Sequence, residues 1–260
     1  MATTAILFDL DDTLVVEEAS AEASFLATCE RALERYGLDP KALCQSVRHH
    51  ARQLWRASPT IAYCRAIGIS SWEGLWARFL GRDPNLKVLR EWAPTYRREA
   101  WSRALAEYGI YDLPFAEQLA AMFQDERRSR YVVFPDVEPA LKNLRKIYRL
   151  AIVTNGVPDL QREKLEGAKL AGYFDEVIIS GEVGIGKPEP RIFALALDKL
   201  DVSPKMVVMV GDSLARDVLG AQQAGLRGIW INRSGTDSGE DEITPDAQIA
   251  NLSELHDVIQ

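Results

Sequence analysis

Apolar residues run along this chain in two different rhythms. From Glu17 to about Arg130, apolar residues recur among charged ones, as in ASFLATCERALERYG and WAPTYRREAWSRALAEYG. Positions three and four apart share one face of a helix, so this spacing predicts amphipathic helices, each with one buried stripe. Strand-like runs are nearly absent there. Five of the six tryptophans fall in this half: Trp55, Trp72, Trp76, Trp92 and Trp101. They are expected to fill the space between helices. From about Val132 the rhythm changes to short, nearly continuous apolar runs: LAIVT, EVIIS, MVVMV and GIWIN. Helical stretches follow these runs. Strands apolar on both faces imply a parallel sheet covered on both sides. AILFD, near the start, has the same texture and most simply joins that sheet.

The chain would then make one strand, leave for a helical insertion at 16–130, and return. The α/β unit would consist of 1–15 and 131–260. NRSGTDSGEDEITPD, Asn232 to Asp246, reads as a surface loop before a last short strand and helix. No internal repeat is visible. A length of 260 residues suffices for one large domain or two modest ones. A net charge of −7 argues against non-specific nucleic-acid binding, which requires a basic surface. Cys29, Cys44 and Cys64 are an odd number without metal-like pairing, so we expect reduced thiols in a cytoplasmic protein. Neither a signal peptide nor a membrane-spanning run is read from the pattern, and no membrane partner is expected.

The carboxyl ends of the strands are where an open parallel sheet binds ligands. The first strand delivers DLDDT, with Asp9, Asp11 and Asp12 crowded together. Like charges about 4 Å apart repel by roughly 4 kcal/mol at an effective dielectric near 20. A cation is therefore expected there, unless the acids fan out into water. LAIVTNG delivers Thr154 and Asn155. MVVMVGDSLARD delivers Gly211 and Asp212, with Asp217 five residues later. GEVGIGKPEP presents Lys187 from a loop of glycines and prolines. Each piece alone is ordinary turn or cap chemistry. Their order and placement at strand ends point jointly to a functional site.

FDLDDT, VTNG, GKPEP and GDSLARD resemble the four motifs of the haloacid dehalogenase (HAD) superfamily, in order. The resemblance covers about 1–15 and 131–260. The insertion resembles the cap of the subfamily in which the cap follows the first motif. VTNG through GIWIN is further similar to N-acylneuraminate phosphatases and related nucleotidases. The resemblance implies a Rossmann-like parallel sheet core covered by helices, with an inserted all-helical cap domain.

It also implies a Mg2+-dependent phosphatase acting on a small-molecule phosphate ester. Asp9 would be the nucleophile and would form an aspartyl-phosphate. Asp11 would serve as general acid for the leaving alcohol, then as base for water. The Asp9 carboxylate, the Asp11 backbone carbonyl and Asp212 would hold Mg2+. Lys187 would neutralise charge, with Thr154 and Asn155 at the phosphoryl oxygens. Thr13 would fix the loop through its hydroxyl, and Asp217 would steady Lys187 or the outer metal shell. Asp12 is expected to serve the local turn.

Haloacid dehalogenases and phosphonatases lack the acid two residues after the nucleophile, so Asp11 counts against both. A sugar phosphomutase keeps both acids, and a non-catalytic relative could bind a phosphorylated ligand. His49 and His50, adjacent on a helix, point in different directions and predict no metal site. The run Gly239-Glu240-Asp241-Glu242 is expected to be solvated loop. Sugar phosphates, nucleoside monophosphates and phosphoglycolate-like acids all remain candidate substrates. Oligomeric state is not legible.

Overall fold

A computed structural model describes residues 2–235 and 243–259. Among them, β1 (Ala5–Phe8), β2 (Arg149–Thr154), β3 (Glu176–Ile179), β4 (Val207–Gly211), β5 (Arg227–Ile231) and β6 (Ala247–Ile249) form one parallel sheet. Its order is β3-β2-β1-β4-β5-β6, so the winding reverses between β1 and β4. The crevice at such a reversal is the usual ligand site of an open α/β sheet. Here it lies where β1 runs out into Asp9.

Between β1 and β2 the chain forms α1 (Glu18–Tyr36), α2 (Pro40–Arg56), α3 (Ile61–Ile67), α4 (Ser71–Gly74), α5 (Pro84–Ala106) and α6 (Leu113–Arg128). Local chemistry sets their starts. Asp39 and Asp83 each precede a proline and accept a backbone N–H, from Lys41 at 3.0 Å and Asn85 at 2.8 Å. Proline at the first helical position has no donor to lose. These helices share a core containing Phe25, Trp55, Trp76, Trp101 and Phe123. Trp92 and Tyr96 stack at 4.7 Å, and Trp55 meets them at 5.8 and 5.4 Å. The tryptophans here are packing residues, as their helical context predicts.

The insertion leaves and returns side by side. Val16 donates its N–H to Val132 O at 2.8 Å, and Phe134 to Leu14 O at 3.2 Å. Asp12, with φ 54°, turns the chain, and its Oδ1 accepts the N–H groups of Glu17 and Glu18 at 2.9 and 3.2 Å. That is the turn role expected of it.

After the insertion come α7 (Val137–Leu144), α8 (Pro158–Gly167), α9 (Ser180–Val183) and α10 (Pro190–Leu200). The strand side chains alternate between two buried faces. Ile6, Phe8, Ile152 and Val210 pack toward Val137 and Leu141 of α7. Leu7, Val153 and Met209 pack toward Phe193 and Ala196 of α10. That double coverage explains the continuous apolar runs. No helix among the described residues is long and apolar enough to cross a membrane. The three cysteines are buried, unpaired thiols.

Candidate active site

The first corner of the site is built at the ends of β1 and β4. The Asp9 N–H is tied to Val210 O at 2.9 Å, which fixes the residue at the strand end. Lys187 Nζ donates to Asp9 Oδ1 at 2.6 Å and lies 2.6 Å from Asp217 Oδ1. The second Asp217 oxygen accepts the Ser213 N–H at 3.0 Å. Gly211 makes this approach possible, because a Cβ there would sit 2.3 Å from the Asp217 carboxylate. Thr13 Oγ1 accepts the Asp212 N–H at 3.0 Å, joining the first loop to the loop after β4. Asp9, Asp212 and Asp217 each offer an oxygen within 4.8 Å of the others.

The charges are unbalanced. Burial pushes Asp9 up to about 6, against the pull of Lys187. Burial, reinforced by Asp9 and Asp217, pushes Asp212 up to about 8. Burial works against the charge on Lys187, but Asp217 and Asp9 outweigh it and raise its pKa. Three clustered carboxylates with a single buried lysine between them form an all-oxygen donor set of excess negative charge. Such a set fits a hard divalent cation.

The sequence reading gives Asn155 to the substrate phosphate. In the structure its side chain clamps the backbone of Lys187, donating to Lys187 O at 2.9 Å and accepting the Lys187 N–H at 2.8 Å. A primary amide matches a backbone donor–acceptor pair, and that match holds the lysine loop against β2. Thr154 Oγ1 accepts from Gln161 Nε2 at 2.7 Å and lines the cavity.

The second corner was not legible beforehand. Asp11 does not join the acid cluster through its side chain. Lys164 Nζ, from α8, donates to both Asp11 oxygens at 2.9 and 3.0 Å, and Gln161 Nε2 donates to Oδ2 at 3.0 Å. Lys164 also lies 3.4 Å from Glu17 Oε1, which accepts from Arg127 Nη2 at 2.8 Å. Burial opposes the charge on Lys164, but Asp11, Glu17 and Glu73 together raise its pKa. The one available signal was periodicity: Gln161 and Lys164 share the buried face of α8 with Leu160 and Leu165.

Glu73 also closes on the site, from the insertion. Its Oε2 accepts the Ser70 N–H at 2.7 Å and the Ser70 hydroxyl at 3.0 Å, in a capping box that starts α4. Burial pushes this carboxyl up to about 7 despite the nearby Lys164. The cavity between these groups is about 130 Å³. That is below the 300–1,000 Å³ of drug-sized ligand sites, so it suits a small molecule. His49 and His50 lie elsewhere, beside Gln53 Nε2 and Glu107 Oε1 at 2.8 and 2.9 Å, and do not join a metal cluster among the described residues. The acidic run 239–242, expected to be solvated loop, lies outside the described residues.

A family profile described as haloacid dehalogenase-like hydrolase matches residues 3–225. The chain is 41% identical over 253 residues to a phosphoserine phosphatase of Thermus thermophilus, covering 96% of each. It is 35% identical over 167 residues to the N-acylneuraminate-9-phosphatase of Mus musculus, covering 63% of this chain and 67% of that one. Among solved structures, the putative HAD-hydrolase YfnB of Bacillus subtilis, bound to magnesium, matches with a TM-score of 0.69. That match is 23% identical and covers 100% of both chains, so it speaks to the fold. The sheet order, the acids at the β1–β4 reversal and these matches agree that the chain belongs to the haloacid dehalogenase-like hydrolase family.

Proposed function

We propose that this hydrolase is a Mg2+-dependent phosphatase for a small phosphorylated metabolite, working through an aspartyl-phosphate on Asp9. In this reading 16–130 forms a cap over a core made of 1–15 and 131–260. The observation that carries the proposal is the Asp9–Lys187–Asp217 contact beside Asp212, at the strand ends where an anionic substrate needs positive charge.

The Asp9 and Asp212 carboxylates and the Asp11 backbone carbonyl would hold Mg2+, which supplies positive charge that relieves repulsion between carboxylate and phosphate. Asp9 attacks phosphorus, and the bond from phosphorus to the leaving oxygen breaks. Asp11 gives that oxygen its proton. Water then attacks phosphorus and passes a proton to Asp11, and the bond between Asp9 and phosphorus breaks. Lys187 offsets the charge on Asp9 and the transferring group, and the Thr154 hydroxyl holds a phosphoryl oxygen. Asp217 holds the Lys187 ammonium, and the Asn155 amide holds the Lys187 backbone. Esters with poor leaving groups depend most on the proton from Asp11.

The presence of Asp11 in the site supports phosphate ester cleavage over dehalogenation, because a departing halide needs no proton. The relatives' names, one for an amino-acid ester and one for a sugar-acid ester, differ too much to fix the substrate. Purified protein should release inorganic phosphate from an aryl phosphate with Mg2+ and lose that activity on chelation. An active, contaminant-free Asp9→Asn protein would refute the nucleophile assignment.

A further inference from the structure

Gln161 of α8 is 0% exposed, and its amide touches two residues that line the cavity, Thr154 and Asp11. Its Nε2 lies 2.7 Å from Thr154 Oγ1, and 3.0 Å from both Asp11 Oδ2 and Asn155 O. Its Oε1 has no hydrogen-bond partner among the described residues. One end of the amide is therefore shared among three acceptors while the other end is orphaned. A buried carbonyl without a donor is costly, and a methionine of similar length would fill the space without that cost. What the glutamine adds is its NH2 group.

The neighbours fix which way the amide faces. Asn155 O can only accept a hydrogen bond, so the NH2 end must meet this cluster. An amide nitrogen donates two protons and accepts none. Thr154 therefore cannot aim its own proton at Gln161, and its oxygen accepts from Nε2 instead. The Thr154 hydroxyl reaches one other acceptor, Asn155 O, at the long distance of 3.5 Å. Nε2 already serves that carbonyl. The Thr154 proton is thus left for an oxygen in the cavity. Asp11 does not depend on Gln161 in the same way, because Lys164 Nζ holds both its oxygens at 2.9 and 3.0 Å. We propose that Gln161 is a positioning residue that makes Thr154 a dedicated donor to the phosphoryl group. The inference rests on the phosphatase reading. Without the glutamine, the Thr154 proton would turn to Asn155 O, which would itself have lost a donor.

The test is a double-mutant cycle on the Mg2+-loaded full chain. It is read by calorimetric binding of inorganic phosphate and by kcat/KM on an aryl and an alkyl phosphate. Thr154→Val should weaken phosphate binding about 10- to 100-fold, as loss of a hydrogen bond to a charged group does. Gln161→Met should weaken it about 5- to 20-fold, because the hydroxyl remains but turns away. Added to Thr154→Val, Gln161→Met should cost less than about twofold more. Its loss in kcat/KM should be alike on the two esters, which present the same phosphoryl group. Equal losses with and without the Thr154 hydroxyl would overturn the inference. So would a Gln161→Met protein that binds phosphate like the wild type and loses only stability in urea. A loss confined to the alkyl ester would also overturn it, by placing the effect on Asp11. Gln161→Leu repeats the comparison if methionine does not fold. Failure of the wild type to cleave either ester would overturn the phosphatase reading itself, while the phosphate-binding cycle would still decide the role of Gln161.

Discussion

Two buried lysines divide this site between them. Lys187 joins Asp9 to Asp217, and all three come from the sheet unit. Lys164 joins Asp11 to Glu17, and Glu17 is held in turn by Arg127 at the far end of the insertion. Both lysine side chains are 2% exposed, so neither is an ordinary surface charge. Their surroundings differ in one respect. The Lys187 corner gathers acids that carry more negative charge than it can offset, and so fits a second cation. The Lys164 corner has its own arginine and is closed by Trp76, whose ring centre is 4.7 Å from Arg127 Cζ. In the proposed reading, the first does chemistry on an anion, and the second ties Asp11, the proposed general acid, to the helical insertion.

The sharpest way to break this comparison is to exchange the consequences of the two corners. Asp9→Asn should lower kcat/KM by at least about 10³-fold on every ester, because it removes the nucleophile. Steady-state phosphate release measures it. Asp11→Asn should cost about 10²–10⁴-fold on alkyl esters and less on aryl ones, whose leaving groups need little help from a proton. Equal losses on both would separate Asp11 from proton delivery. Lys164→Met leaves Asp11 and Glu17 short of a buried cation, and should destabilise the fold by about 3–5 kcal/mol in a denaturant titration. A stable Lys164→Met protein would make that corner incidental.

The smallest effect concerns pH. Asp9 and Asp212 are raised from 3.8 to about 6 and about 8, so without metal the folded state holds more protons than the unfolded state across that window. Their contribution to stability therefore falls as pH rises from about 4 to about 8. Mg2+ should reverse the penalty, raising Tm more at pH 8 than at pH 5. Melting curves with and without the ion check the sign.

Why the first corner is readable in the sequence and the second is not follows from the same contrast. Asp9, Lys187, Asp212 and Asp217 sit at fixed offsets from apolar strands, and strand ends can be located from composition. Thr13 was legible through the motif resemblance alone, and its hydroxyl accepts the Asp212 N–H. Asn155 lay at the right place, but its partner was invisible, since the Lys187 backbone comes 32 residues later in sequence. Asp11, Lys164, Glu17 and Arg127 meet only because the insertion folds back, through separations of up to 153 residues. Glu73 announces itself as a helix start, through Ser70-x-x-Glu73, and nothing local says that the residue lines the cavity. Helix and strand periods place residues on faces; which faces meet across an insertion is a tertiary fact.

The central claim is that phosphorus passes through Asp9, and trapping the intermediate tests it most directly. The Asp11→Asn protein retains the nucleophile but lacks the base for water. It should accumulate phosphoenzyme from an aryl phosphate, and acid quenching followed by peptide mass mapping should find the phosphoryl group on Asp9. A phosphoryl group on any other residue, or full phosphate release with no phosphoenzyme at any time in a single turnover, would contradict the account.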